Sequence, residues 1–131
     1  MGGVSIRRVS FVHRETVRFR DLDSLGHMNN AVYATFVEQA RIAFLSPNGA
    51  DAENMILARL EIDFRSPVEL GETIEIAVTP TRVGTKSFDL GYVLRSGDRI
   101  VAEAKTVLVA YDYTAARSVE LPAEWKRRLA A

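Results

Sequence analysis

Hydrophobic and polar residues alternate along most of this chain, and a helical pattern interrupts the alternation once. Four stretches place apolar residues at every second position, as expected of strands with one buried face. These stretches run from 56 to 65, 74 to 78, 88 to 94 and 100 to 111. A further stretch, from about Arg7 to Arg20, is rich in Val, Phe and Thr and predicts a first strand with Val17 and Phe19 on one face.

The interruption runs from Asn30 to Leu45. Phe36, Ala40 and Phe44 recur there at four-residue spacing, which indicates a helix. Because this segment is apolar on nearly every side, we predict that it lies inside the protein. The Ser-Pro-Asn-Gly sequence at 46–49 ends it.

The predicted order is therefore one strand, one helix and four strands, and residues 121–124 open a short terminal helix that carries Trp125. Short connections, such as the Ser-Gly-Asp hairpin signal at 96–98, favour antiparallel pairing. An open sheet has an apolar face to cover, and this chain offers one apolar helix to cover it. We predict an α+β fold in which a curved antiparallel sheet of about five strands wraps around a central helix.

Composition narrows the class of protein. The chain has 131 residues, 47% of them hydrophobic and 26% charged, which fits one soluble globular domain. Lys plus Arg and Asp plus Glu both number 17, so net charge favours neither nucleic acid nor an anionic membrane as a partner. The chain has no cysteine and only two histidines, which argues against a metal site. With no signal-peptide pattern and no long apolar run, we expect a cytoplasmic protein.

The segment between the first strand and the helix carries the candidate chemistry. Asp21 and Asp23 end the strand-like run, Gly26 lies in the turn, and Asn29 and Asn30 directly precede the apolar helical run. This arrangement brings a carboxylate close to the positive end of a helix dipole, where free backbone N–H groups can hold a carbonyl oxygen. A base beside an oxyanion site indicates acyl chemistry.

The same residues resemble a known family. The pattern Asp-Leu-Asp-x-x-Gly-His-x-Asn-Asn-x-x-Tyr at 21–33, followed by Glu-Gln-Ala-Arg at 38–41, is similar to that of the hotdog-fold acyl thioesterases. It is most similar to the 4-hydroxybenzoyl-CoA thioesterase group. Weaker matches follow in the family's order at 64–68, 71–73 and 84–88, so the likeness covers about residues 10 to 112.

This resemblance implies a single hotdog domain over residues 1–131, homodimers formed by joining two sheets, and acyl sites at the subunit interface. Many relatives pair dimers into homotetramers. The implied substrate is an acyl-CoA or aroyl-CoA thioester, with coenzyme A as part of the substrate and no separate cofactor. The family's catalytic acid matches Asp23, which acts as nucleophile or as general base for water. The family's oxyanion donor, a backbone N–H, falls near Asn30.

A thioester needs little more than these two groups. The departing thiolate is the conjugate base of an acid with a pKa of roughly 8.5, so it leaves without strong protonation. A base or nucleophile and a polarised carbonyl are sufficient. The missing cysteine is therefore no obstacle.

Neighbouring positions extend the predicted site. Gly26 gives the turn a backbone shape that a side chain would hinder. Asn29 or Asn30 caps the helix through its side chain, which leaves the main-chain oxyanion role open. His27 matches a histidine of the site in acyl-carrier-protein thioesterases, although Leu25 replaces an asparagine that those enzymes carry. The remaining residue of the motif, a tyrosine at position 33, is expected to form the pocket wall.

Four charged residues complete the predicted set. Glu38, one helical turn from Arg41, is the rival catalytic base, because some hotdog thioesterases carry a catalytic Glu on the central helix. Lys86 matches a family position that contacts the phosphates of coenzyme A. Some relatives carry Arg where this chain has Gly and Thr at 84–85, so we expect Arg65, Arg82 or a cation of a partner subunit to supplement it.

Three alternative functions deserve comparison with a CoA thioesterase. The substrate could be carried by acyl-carrier protein instead of coenzyme A. A non-catalytic acyl-thioester sensor could use the same fold, although it would not need Asp23. A hotdog dehydratase would require His13 or His27 beside an acid in a different arrangement, and no such motif is present.

Overall fold

A computed structural model describes residues 11–46 and 54–130. Its sheet consists of six strands, which are β1 (Phe11–Thr16), β2 (Met55–Phe64), β3 (Thr73–Val83), β4 (Ser87–Ser96), β5 (Arg99–Asp112) and the short β6 (Arg117–Ser118). The helices are α1 (Asn30–Leu45) and α2 (Ala123–Ala130). Five strands follow the order β1-β3-β4-β5-β2, every pair is antiparallel, and β6 pairs with the far end of β5. This is the predicted hotdog arrangement.

The core lies between α1 and one face of the sheet. On that face, alternate residues of β3 and β4 are fully buried, including Ile76, Val78 and Leu90. Val37 and Ala40 meet them from the helix, and both are also fully buried. The period of two in the strands and the period of about four in the helix therefore converge on one apolar layer, as the sequence predicts.

The sides of α1 are not all enclosed, in contrast to the prediction. One face packs on the sheet, while Ala31, Thr35, Glu38 and Gln39 are exposed in the single chain. The helix packs mainly against β1 and β3, which leaves the β2 side of the sheet less covered. The helix is thus buried on one face only.

The first strand ends earlier than predicted. It stops at Thr16, and a 3₁₀ turn at Phe19–Asp21 follows. Val17 is buried, but Phe19 is 81% exposed, so the prediction that they share one face is wrong. The Asp21 carboxylate accepts the Arg18 backbone N–H at 2.8 Å, and this local bond competes with strand pairing. The predicted residues 7–10 of this strand, and 47–49 of the helix stop, lie outside the described residues.

Helix α2 covers the other end of the core. Its Trp125 is fully buried and meets Phe88 of β4 edge to face, with ring centroids 5.9 Å apart. Within residues 11–46 and 54–130, neither helix has the length and apolar content needed to cross a bilayer.

The packing predicts unequal effects for two identical substitutions. Phe88→Ala should lower the free energy of unfolding by about 3–5 kcal/mol, because it opens a cavity beside Trp125. Phe19→Ala removes the same ring from an exposed site and should change stability by less than about 0.5 kcal/mol. Urea unfolding followed by tryptophan fluorescence measures both, and equal losses would contradict the assigned core.

Candidate active site

A tight turn presents Asp23 beside the start of α1. The Asp23 N–H donates to the His27 carbonyl at 2.8 Å, and the Gly26 N–H donates to the Asp23 carbonyl at 3.1 Å. Leu22 and Met28 form an isolated antiparallel bridge at the base of this turn. Gly26 has φ of 84°, in the left-handed region that favours glycine, so its predicted role in the turn is confirmed.

The Asp23 carboxylate does two things at once. Its Oδ1 accepts the Leu25 N–H at 2.9 Å and the His27 N–H at 3.3 Å, which is the ordinary turn-forming role of an aspartate. Its Oδ2 has no hydrogen-bond partner among the described residues, and the side chain is exposed. One oxygen therefore holds the turn, while the other is left unbonded in the described part of the chain.

The other acid of the motif, Asp21, is structural. It is 3% exposed, and its carboxylate accepts bonds from the Arg18 backbone and guanidinium at 2.8 to 3.2 Å. Burial by itself would raise the pKa of Asp21, but the hydrogen bonds and charge of Arg18 outweigh it and hold the pKa below its ordinary value. Asp21 is thus paired with Arg18.

The amides around the helix start are satisfied with one exception. Met28 donates to the Val68 carbonyl at 2.7 Å and Asn29 donates to the Asp21 carbonyl at 2.8 Å. At the next turn, the Ala31 N–H bonds the Asn29 side chain and the Val32 N–H bonds the Asn29 carbonyl, both at 2.9 Å. Asn29 is thus the helix cap. In residues 28–32 of the described chain, only the Asn30 N–H lacks an acceptor.

A cleft of about 340 Å³ joins these groups. Its lining consists of Asp23, His27, Met28, Asn30, Tyr33, Phe64, Arg65, Ser66 and Pro67. The structure therefore brings together five predicted site residues that come from the turn, from α1 and from the end of β2. A carboxylate oxygen and a helix N-terminus border the same space, which is the arrangement needed to attack a carbonyl and stabilise the oxygen charge that develops.

Tyr33 forms part of the wall. Its ring meets Phe64 edge to face with centroids 4.9 Å apart, and its hydroxyl lies 3.5 Å from the Ser66 carbonyl oxygen. Burial and the nearby Glu72 charge raise the pKa of Tyr33, so its phenol stays protonated at neutral pH. This placement agrees with the predicted wall and not with a general base.

Three predicted charged residues lie outside this cleft. Glu38 is exposed and lies 3.8 Å from the buried Arg41. Arg82 pairs with Asp89 at 2.9 Å, and Lys86 lies beside Ala110 at the far end of β5. The cleft and Lys86 lie at opposite ends of one subunit. On β5, Ala102 pairs with Phe64 at the cleft end and Ala110 pairs with Met55 at the Lys86 end, so roughly 27 Å of strand separates the two ends.

The cleft also contains four residues that the sequence did not predict as site residues: Met28, Phe64, Ser66 and Pro67. The alternation places Phe64 on the same sheet face as Ile62, but only the pairing order decides which strand end meets the Asp23 turn. The Met28 N–H bond to the Val68 carbonyl makes that connection. A Ser-Pro pair at a strand end signals a turn, and that signal alone does not identify a cleft wall.

A larger depression, of about 690 Å³, lies on the opposite face of the sheet. Charged and small residues line it, among them Glu61, Glu103, Lys105 and Gly91. None of its lining residues comes from the Asp23 turn or from α1. The smaller cleft is therefore the candidate active site, because it contains the chemically matched groups.

Comparison with known proteins agrees with this fold and motif. The model of the Thioesterase-like superfamily matches residues 17–129. The chain therefore belongs to the thioesterase-like superfamily. The predicted class of enzyme is confirmed at this level, since relatives and structural neighbours are named thioesterases, while the 4-hydroxybenzoyl-CoA type within it stays a prediction.

Two curated relatives illustrate the range of the superfamily. A 1,4-dihydroxy-2-naphthoyl-CoA hydrolase of Nostoc punctiforme is 25% identical over 124 residues, covering 88% of this chain and 84% of the relative. The long-chain acyl-CoA thioesterase FadM of Escherichia coli is 28% identical over 121 residues, covering 86% and 92%. The substrates in these two names differ in their acyl group, and both are esters of coenzyme A.

Solved structures give the same result. A Thermus thermophilus thioesterase, solved with coenzyme A and zinc, has a TM-score of 0.80 at 32% identity and covers 90% of each chain. A 1,4-dihydroxy-2-naphthoyl-CoA thioesterase from Synechocystis has a TM-score of 0.81 at 20% identity, covering 92% of this chain and 96% of that chain. The second likeness concerns the fold alone.

The cap assignment predicts different effects at two adjacent asparagines. Asn29→Ala should lower the free energy of unfolding by about 1 kcal/mol, because the Ala31 N–H loses its acceptor. Asn30→Ala should leave stability nearly unchanged, because it keeps the backbone N–H and removes a side chain with no bond among the described residues. Urea unfolding followed by circular dichroism measures both, and a larger loss for Asn30→Ala would reverse the assignment.

Proposed function

We propose that this protein hydrolyses an acyl-CoA or aroyl-CoA thioester to the free acid and coenzyme A. One observation carries the proposal: Asp23 and Asn30 line one cleft, and among the described residues neither the Asp23 Oδ2 nor the Asn30 N–H has a hydrogen-bond partner. The cleft has apolar walls from Tyr33 and Phe64, which suit an acyl group, and the cation Arg65 at its rim. Membership of the thioesterase-like superfamily supports the same chemistry.

In the proposed reaction, the thioester carbonyl oxygen accepts a hydrogen bond from the Asn30 N–H. The partial positive charge of the α1 N-terminus stabilises the negative charge that develops on this oxygen. With Asp23 as general base, water attacks the carbonyl carbon and gives a proton to the carboxylate. The C–S bond then breaks, the electron pair leaves with sulfur, and the thiolate takes up the proton.

The nucleophilic variant uses the same atoms. Asp23 Oδ2 attacks the carbonyl carbon and expels the thiolate, which leaves a mixed anhydride that water hydrolyses. The imidazole of His27 also lines the cleft, where it can donate to the ester or to the departing sulfur. Both variants need Asp23 ionised and its turn intact.

A homodimer would complete the site, and the free edge of β2 supports one. This strand has ten residues and pairs only with β5 in the described chain. Leu57 and Phe64 on it are 40% and 49% exposed. The other edge, β1, has only six residues, of which Arg14 and Glu15 are charged. A long, unpaired edge strand with exposed apolar side chains is the kind that pairs with another strand.

Antiparallel pairing of two β2 strands would also answer where the coenzyme A phosphates bind. It would bring Met55 of one copy beside Phe64 of the other, so that the partner's Lys86 end approaches the cleft. The separation between the cleft of one copy and the Lys86 end of the other would then be about three strand spacings, roughly 14 Å across the sheet. Arg65 at the cleft and the partner's Lys86 would share the phosphates, in place of the distant Lys86 of the same chain.

The central test removes the charge of Asp23 and keeps its turn. Asp23→Asn retains an oxygen for the Leu25 and His27 N–H groups, so folding should survive while kcat falls by about 10²–10⁴-fold. Thiol release from a panel of aliphatic and aromatic CoA esters, 4-hydroxybenzoyl-CoA included, measures it. The panel also identifies the acyl group, and a matching carrier-protein ester distinguishes the two carriers.

Asp98→Asn, in the exposed β4–β5 hairpin, is the matched control and should keep full activity. Full activity of Asp23→Asn with loss in Glu38→Gln would transfer the role of base to Glu38. If no ester is hydrolysed and CoA esters still bind, the protein is an acyl-thioester sensor and the proposal fails.

The dimer has its own test. Leu57→Lys on β2 should convert the dimer to a monomer, because a buried ammonium at the joined edge is costly. Val12→Lys places the same charge on the β1 edge and should leave the dimer intact. Sedimentation velocity measures both, and a wild-type monomer with full thioesterase activity would contradict the arrangement. The cytoplasmic location stays a prediction from the sequence.

A further inference from the structure

We propose that Glu72 and Arg99 are positioning residues that hold one wall of the cleft against the Asp23 turn. This inference rests on the proposed thioesterase function and gives a role to the Gly-Glu-Thr motif at 71–73, which the catalytic scheme does not use. The wall is the irregular segment 65–72 between β2 and β3, and it includes Ser66 and Pro67 of the cleft lining.

The wall has little packing of its own. Within the segment only Val68 is fully buried, while Arg65, Pro67, Glu69 and Leu70 are exposed. Backbone bonds tie its first residues to Val101 and tie Val68 to Met28. The Gly71 N–H also donates to the Val17 carbonyl at 3.1 Å, and side-chain bonds at Pro67 and Glu69 add to these anchors.

The Glu72 carboxylate supplies those bonds. It accepts the Ser96 hydroxyl at 2.5 Å and the Arg99 guanidinium at 2.6 Å through Oε1, and the Glu69 N–H at 2.7 Å through Oε2. Arg99 also donates to the Pro67 carbonyl at 3.3 Å. The carboxylate therefore joins the wall to the end of β4 and to the start of β5. We call these four contacts the wall clamp.

The clamp is electrostatically well formed. Burial by itself would raise the pKa of Glu72, but the bonds from Ser96, the Glu69 N–H and Arg99 outweigh it and lower the pKa. The carboxylate is half-buried, so its bonds are less screened than those of an exposed ion pair. Glu72 thus stays ionised and bonded throughout the neutral range.

The consequence for catalysis is geometric. The wall bonds the turn through Met28 and Val68, and the Ser66 carbonyl lies 3.5 Å from the Tyr33 hydroxyl. A wall that shifts would move the bound ester relative to Asp23 and the Asn30 N–H, and small misplacements of reacting groups reduce rates strongly. The clamp should therefore act on kcat more than on KM.

The test compares Glu72→Gln and Arg99→Met with a control variant, Arg14→Met. Each variant should lower kcat about tenfold with KM changed less than about twofold. The kcat of the double variant should be no lower than that of the less active single variant, because both residues act through one contact. Arg99→Lys should recover part of kcat. Arg14→Met removes an exposed interstrand ion pair to Glu75 of 3.0 Å, away from the cleft, and should keep kcat and KM.

Amide hydrogen exchange tests the clamp without using activity. The Met28 amide and the wall amides should exchange faster in Glu72→Gln and Arg99→Met, and not in Arg14→Met. Unchanged exchange in folded variants, or additive losses of kcat that track thermal stability, would overturn the inference. A wild-type protein that hydrolyses no ester would refute the proposed function, and the exchange rates would still decide whether the clamp exists.

Discussion

The first turn of α1 sets the constraint on which the rest of the site depends. The first N–H groups of a helix have no acceptor carbonyl within the helix. Other protein groups, water or a ligand must therefore accept their hydrogen bonds. Here the Asp21 carbonyl, the Val68 carbonyl and Asn29 satisfy the amides on either side of Asn30. Among the described residues 28–32, only the Asn30 N–H has no acceptor, and Asn30 lines the cleft at the helix start, where the helix dipole favours negative charge.

This requirement explains why the surrounding polar residues are arranged as they are. The Asp21 carboxylate accepts hydrogen bonds from Arg18, and the Asp21 carbonyl accepts the Asn29 N–H. These bonds end the strand and fix the helix start. Asp23 uses its Oδ1 to accept a hydrogen bond within its own turn, and its Oδ2 has no partner among the described residues. Two acids two residues apart thus have different roles because one is buried and paired and the other is exposed.

The same turn also couples the cleft to the sheet. Its last amide bonds the segment between β2 and β3, and that segment is tied through Glu72 to the β4–β5 hairpin. The site therefore depends on three segments that are far apart in sequence: the Asp23 turn, residues 65–72 and the β4–β5 hairpin. Hydrogen bonds connect these segments, and the buried side chains of Met28, Tyr33 and Val68 join the cleft to the core beneath α1.

Sequence patterns alone predict α1, the four long strands and the motif, whereas the end of β1 and the short β6 emerge only in the structure. Alternation in the strands and four-residue spacing in the helix report local burial, and the bounds of α1 follow from them. The Gly26 turn is also a local matter of backbone sterics. The three-dimensional arrangement was needed to show which strand end meets the turn, which asparagine caps the helix, and that Lys86 and Asp23 lie at opposite ends of one subunit. Those outcomes depend on strand order and on bonds between distant segments, which a one-dimensional pattern does not contain.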